Sequence, residues 1–134
     1  MLAIGSISRP VFRAGAWSAR YNNQDQWVQA DLGTTHRIES VTTQGRPSWP
    51  QWVTSYYISY SQDGTNWVDI PTLYAGNVDQ YTKKTNNLPP NTVARYVRLR
   101  PHAWYQHISL RFDVTGCALP GKISADTSVK AVRL

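Results

Sequence analysis

"HISLRFDVT" (residues 107–115) alternates without a break: Ile108, Leu110, Phe112 and Val114 fall on one side of an extended chain, and Ser109, Arg111, Asp113 and Thr115 on the other. Successive side chains of a strand point to opposite faces, so this period of two predicts a strand with one face on a core and one in water. Segments 26–32 (QWVQADL), 37–43 (RIESVTT), 53–60 (VTSYYISY), 67–70 (WVDI) and 93–99 (VARYVRL) share its wealth of β-branched and aromatic residues. No long window carries helical periodicity. Turn chemistry separates the runs: Asp63-Gly64 suits a hairpin that needs positive φ, Leu88-Pro89-Pro90-Asn91 forces an extended connection, and Gly76-Asn77 marks a reversal. Short strands punctuated in this way predict an all-β antiparallel sandwich or jellyroll.

The length of 134 residues fits one domain whose core buries roughly two thirds of the surface of the unfolded chain. The 6 Trp and 8 Tyr far outnumber the 2 Phe, and Trp and Tyr carry a polar handle that suits half-wet binding surfaces. Fourteen Lys and Arg against eight acids give a net charge of +6, which favours anionic partners such as acidic lipid headgroups, sulfated glycans or nucleic acid. The basic residues are scattered, Lys83-Lys84 being the longest run. No stretch approaches the roughly 18 apolar residues of a membrane span. Residues 1–5 are too short for a secretory signal, so the chain is expected to derive from a longer, processed precursor. Cys117 stands alone, which excludes an internal disulfide. "GSIS" (5–8) and "GKIS" (121–124) repeat one strand-like opening. The division expected is a domain over 1–117 and a tail over 118–134. Three readings of the tail stay open: the start of a following repeat, a strand closing the same sheet in permuted order, or a segment exchanged between copies to form a homo-oligomer.

Catalytic constellations are missing. There is no G-x-S-x-G, no H-E-x-x-H and no phosphate-cradling G-x-x-x-x-G-K. His36, His102 and His107 lack an adjacent third donor and read as structural histidines rather than zinc ligands. The aspartates are dispersed and form no paired-carboxylate signature. Calcium stays open as a cofactor, because loop carbonyls can supply most of its ligands without a sequence trace. In "VARYVRLRPHAWYQH" (93–107) the interleaved Arg and Tyr would suit nucleic acid. Strand alternation explains them better, with Val97 and Leu99 inward and Arg98 and Arg100 outward, so no nucleic-acid partner is expected.

Five blocks together carry a family resemblance: "AWSARYNNQDQWVQADLG" (16–33), "VTTQGRPSWPQWVTSYYISYSQDGTNW" (41–67), "AGN" (75–77), "LPPNTVARYVRLRP" (88–101) and "WYQHISLRFDVTGC" (104–117). In this order and spacing they resemble the discoidin, or coagulation factor V/VIII type C, domain over residues 14–117. The resemblance implies an eight-stranded antiparallel jellyroll of secreted or cell-surface proteins, with ligand-binding loops at one end and no catalysis. Family members bind phosphatidylserine membranes, glycans, collagen or other proteins, and the fold alone does not choose among these. Two departures stand out. The family's first cysteine, partner of the one matching Cys117, is absent, and "RPVFRAG" (9–15) replaces a longer first loop. The segment "CALPGKIS" (117–124) resembles the family's own opening.

The resemblance also makes "GRPSWPQW" (45–52) a projecting hairpin loop, a spike. It places Trp49 at the exposed tip, between Ser48 and Pro50, and Trp52 packing beneath. Arg46, with Arg9 and Arg13 of the shortened first loop and Arg100 and His102 before the last strand, is expected to form a cationic collar, and Phe12 of that first loop is a further candidate ligand contact. Each such cation contributes about 1 kcal/mol against an anionic leaflet. For Arg111 two readings stay open: a place near the ligand groove, or a structural pairing with a carboxylate such as Asp31. Trp17, Trp27, Trp67 and Trp104 read as packing residues. The function expected is an extracellular, non-catalytic module that binds anionic phospholipid surfaces. The alternatives are a lectin-like glycan binder, although the Arg/His/Asp constellation of fucose-binding relatives is not evident, and a protein- or collagen-binding adhesion domain.

Overall fold

The computed structural model describes residues 15–119 throughout and the backbone of residues 2–3, 11–13 and 128–129. Its strands are β1 (Leu2–Ala3), β2 (Val11–Arg13), β3 (Ala16–Ser18), β4 (Val28–Gln44), β5 (Trp52–Ser61), β6 (Val68–Asp69), β7 (Tyr74–Ala75), β8 (Lys84–Asn87), β9 (Val93–Tyr105), β10 (Ser109–Ala118) and β11 (Ser128–Val129). Every pairing among them is antiparallel. The main path runs β2-β3-β10-β4-β9-β5-β6, and the fold is the expected all-β antiparallel sandwich. Within the tail, Ser128 and Val129 pair with Cys117 and Gly116; the other residues of 120–134 lie outside the described part.

Segments 26–32 and 37–43, expected as two strands, form the single 17-residue β4. Its first part pairs with β9 and its second with β10, and the register shifts where residues 32–35 stand opposite Arg95 alone. Such a bulge bends a strand, so β4 passes from one layer of the sandwich to the other. Gly33 supplies the φ of +82° at this corner. The Asp31 carboxylate fixes it, accepting the Gly33 N–H (2.9 Å) and both Nε (2.8 Å) and a terminal nitrogen (3.1 Å) of Arg95. Asp31 is thereby committed to Arg95, which corrects the reading that it pairs with Arg111.

Inward residues of both layers meet in one cluster that includes Trp17, Val28, Ile38, Val41, Tyr56, Ile58, Val97, Leu99, Leu110, Phe112 and Val114. The alternation in 108–115 is observed on its apolar side, but Ser109 is fully buried rather than wet. It stands opposite Ser18 of β3, with the two hydroxyls 2.8 Å apart. The segment 88–91 is likewise not simply extended. It turns at Pro90-Asn91, where Asn91 adopts a φ of 65°, and the Thr92 hydroxyl closes onto the Pro89 carbonyl at 2.7 Å.

Two tryptophans read as packing residues do a different job. The Arg98 guanidinium lies 3.7 Å from the ring centroid of Trp27 and 3.8 Å from that of Trp67, and its Nε and a terminal nitrogen donate to Gln29 Oε1. The indoles therefore clamp a cation on the outer face of β9 instead of filling the core. A desolvated cation–π contact contributes up to about 2 kcal/mol. Arg98→Ala should accordingly lower stability by about 2–3 kcal/mol in urea denaturation, and Arg98→Lys should not restore it, because an ammonium lacks the flat faces that two indoles cover.

Hydrogen bonds hold three carboxylates below their ordinary range. The Arg95 side chain does so first for Asp31, the Asn66 N–H for Asp63 and the Thr82 N–H for Asp79. Each is more acidic folded than unfolded, so its contribution to stability is present above about pH 4 and is lost as pH falls through the folded value. Urea midpoints should decline from about pH 5 to about pH 3. Asp31→Asn should lower the midpoint at neutral pH and flatten that decline; a parent midpoint constant across the range would contradict the assignment.

Candidate functional site

Four turns gather at one end of the sandwich, where Gln44 stands opposite Arg111, Trp52 opposite Tyr105 and Ser18 opposite Ser109. Residues 45–51 form the spike between β4 and β5. Its base closes through Arg46 N–H to Gln51 O (3.0 Å), and Gln51 N–H donates to Trp49 O (2.8 Å). With Pro47 and Pro50 fixing φ on either side, the tip is held outward. Ser48, Trp49 and Pro50 are all exposed, Trp49 at 56%. Trp52 stacks on Tyr105, with centroids 4.5 Å apart and planes at 16°, and so braces the base of the spike.

The loop of residues 76–83, between β7 and β8, supports the spike from the side. Gln80 Nε2 donates to the carbonyls of Arg46 (3.2 Å) and Pro47 (3.1 Å), and the Tyr81 hydroxyl to that of Pro47 (2.8 Å). Arg111 lies at the root of both segments, donating from Nε to Gly45 O (2.9 Å) and from a terminal nitrogen to Gln80 O (2.8 Å).

On the other flank, Ser18, Ala19, Arg20, Arg46, Trp49, Gln51 and His107 line an open groove of about 430 Å³. Arg46 donates to Gln51 Oε1 (2.9 Å) and lies 5.8 Å from the Trp49 ring centroid, while its Nε is buried without a partner. Among the described residues neither Arg46 nor Arg20 is paired with a carboxylate. His107 is fully engaged. Asn22 accepts the Ile108 N–H through Oδ1 (2.9 Å), which turns its amide nitrogen to His107 Nδ1 (3.1 Å) and leaves His107 Nε2–H to donate to Ala19 O (2.7 Å). The groove thus combines an indole wall, two guanidiniums without counter-charge and polar rims, an arrangement suited to an anion carried on a surface or a sugar. Among the described residues no group of three or more His, Cys, Asp or Glu could hold a metal ion.

The F5/8 type C domain model matches residues 10–114. This chain belongs to the F5/8 type C domain family. Coagulation factor VIII of the dog, Canis lupus familiaris, is 41% identical over 112 residues, which cover 78% of this chain and 5% of that protein. Discoidin II of Dictyostelium discoideum superposes with a TM-score of 0.73 at 31% identity, covering 82% of this chain and 44% of that one. The CBM32-5 module from Clostridium perfringens, solved in complex with GalNAc-beta-1,3-galactose, gives a TM-score of 0.58 at 25% identity over 74% of this chain and 73% of that one. The chain therefore spans only a small part of the length of factor VIII and under half of discoidin II.

In this F5/8 type C domain Arg100 and His102 do not join Arg46 in the expected cationic collar. Arg46, Ser48, Trp49 and Pro50 share the spike. Arg100 and His102 lie on the outer face of β9, in register with or beside Tyr57. Arg100 lies five residues before Tyr105, the partner of Trp52, roughly 17 Å of strand. The reason is parity: positions 98, 100 and 102 face away from the core while the chain is still short of the loop end. Arg100 approaches Asp69 at 3.8 Å, and His102 receives the Gln24 amide at 3.3 Å. Arg111 does not take the expected carboxylate partner; backbone carbonyls at the root of the spike and of the neighbouring loop take its donors. Phe12 and Arg13 are placed by backbone alone, opposite Trp17 and Ala16; their side chains, and Arg9, lie outside the described residues.

Sequence reasoning missed Arg20, Ser18 and Gln51 as groove residues. Arg20 and Ser18 stand in the family block 16–33, but only the pairing of β3 with β10 brings them beside the spike. It missed the bracing role of Gln80 and Tyr81 as well. Gly45 shows how tight this bracing is, because a Cβ there would lie 2.8 Å from Asp79 O and 3.0 Å from Trp52 Cβ. Gly45→Ala should therefore cost about 1–3 kcal/mol by overpacking against backbone, whereas Trp49→Ala should move the thermal midpoint by no more than about 2 °C. A large stability loss in Trp49→Ala would place the indole in the core.

Proposed function

We propose that this domain is a non-catalytic, extracellular adhesion module that docks on anionic phospholipid surfaces through its loop end. One observation supports this reading above the others. Trp49 is held exposed on a rigid, internally bonded spike, beside an Arg46 with no carboxylate partner among the described residues. An indole prefers the interfacial zone of a bilayer. Arg46 and Arg20 then meet headgroups, each contributing about 1 kcal/mol on an acidic leaflet. One Trp with two arginines gives weak, reversible attachment, so firm adhesion requires several copies acting together.

A second reading has its own support. The similar Clostridium perfringens module was solved with GalNAc-beta-1,3-galactose, and the groove beside Trp49 is large enough for a sugar. The two readings separate in one assay. The domain should sediment with phosphatidylcholine vesicles containing phosphatidylserine and not with pure phosphatidylcholine, and high salt should release it. Trp49→Ala should weaken that partition about tenfold, the equivalent of about 1.4 kcal/mol. Binding that ignores phosphatidylserine and is abolished by a simple sugar would replace the lipid reading with the glycan one.

A further inference from the structure

The spike has a neighbour whose construction matches its own. Asn77, buried at the start of the β7–β8 loop, donates its amide to Thr43 O (2.9 Å) and Thr82 O (3.1 Å), which pins the two ends of the loop together. The Asp79 carboxylate turns into the loop, where Oδ1 accepts the N–H groups of Tyr81 (2.9 Å) and Thr82 (2.7 Å) and Oδ2 the Thr82 hydroxyl (2.8 Å). These inward bonds leave two apolar side chains facing out. Val78 is 79% exposed and Tyr81 63%, both more than Trp49. The fold does not need either for its core, and an exposed valine on an internally bonded loop has no packing role to fill.

Directly after this tip come Lys83 and Lys84, both exposed, with Lys84 opposite Thr43 beside the loop end. Two cations outweigh the one carboxylate of Asp79, whose oxygens already accept three hydrogen bonds within the loop. Gln80 and Tyr81 tie the loop to the spike backbone at Arg46 and Pro47, so the two projections move as one body. Apolar tip, adjacent cations and rigid coupling together match the chemistry of an acidic bilayer surface: aromatic and aliphatic groups at the interface, lysines among the headgroups.

We infer that residues 77–84 form a second membrane-contacting prong, with Val78 and Tyr81 entering the interfacial zone beside Trp49 and Lys83 and Lys84 engaging anionic headgroups. This inference rests on the lipid reading of the spike. Two prongs on one rigid frame set the tilt of the domain on the bilayer, which a single indole cannot do.

The test uses the whole chain with vesicles of phosphatidylcholine and phosphatidylserine. In a Cys117→Ser background, Val78→Cys labelled with an environment-sensitive fluorophore should shift to the blue on vesicle addition, and brominated acyl chains should quench it. Val78→Asp and the pair Lys83→Glu with Lys84→Glu should each weaken partition about tenfold while the thermal midpoint stays within about 2 °C of the parent, since all three positions are exposed. A label that stays in water, with partition unchanged in these variants while Trp49→Ala still weakens it, would overturn the second prong and leave the spike reading standing. Failure of the parent chain itself to bind these vesicles would overturn both.

Discussion

A half-buried guanidinium organises the loop end of the molecule. Arg111 leaves β10 on the face turned from the core and donates to Gly45 O, where the spike begins, and to Gln80 O, in the neighbouring loop. Both bonds run from a cation to a carbonyl and are stronger than neutral pairs. They fix two chain segments that share no strand pairing with each other. The two segments pack tightly at this point, since a Cβ on Gly45 would lie 2.8 Å from Asp79 O. The exposed indole of Trp49, four residues beyond Gly45, is held in place through this clamp.

The opposite end depends on a second charged contact of the same kind. Where β4 crosses between layers, Asp31 joins the corner at Gly33 to Arg95 on β9, and its carboxylate is largely hidden while the guanidinium stays partly in water. Removing one partner would leave the other without its hydrogen bonds, a larger loss than the pair's own net contribution. The long β4 can serve both layers because this corner is bonded on each side. The spike then emerges at the far end of the same strand, so the corner and the loop end are mechanically linked.

The strand content was legible in the sequence because it is a local matter, carried by the alternation in 107–115 and the turn dipeptides, whereas the jellyroll and the exposed tip position of Trp49 were implied by the family resemblance of whole blocks. The groove was not. Arg20 and Arg46 are 26 positions apart, and only the pairing of β3 with β10 puts Ser18 and its neighbours against the spike. Arg100 and His102 were assigned to the wrong surface for a related reason. Proximity in sequence to the last turn suggested the loop end, but strand parity and length carry them onto the outer face of β9. Trp27 and Trp67 show a further limit, since composition cannot distinguish an indole that fills a core from one that covers an arginine.

The energetics of the loop end also bear on how such a domain works within a longer chain. Its exposed groups are few and its attractive terms small, so a single copy dissociates readily, whereas copies joined by linkers multiply their effective concentration. On the proposed lipid reading, weakness in one domain is useful, because attachment of several copies would respond steeply to the density of anionic headgroups rather than to any single contact. Rigidity decides whether this works. A floppy spike would forfeit part of the same small energy in ordering itself on each encounter. Here the hydrogen bonds of Gln80, Tyr81 and Arg111 fix the spike before any surface is met, so little of the binding energy is lost to conformational ordering.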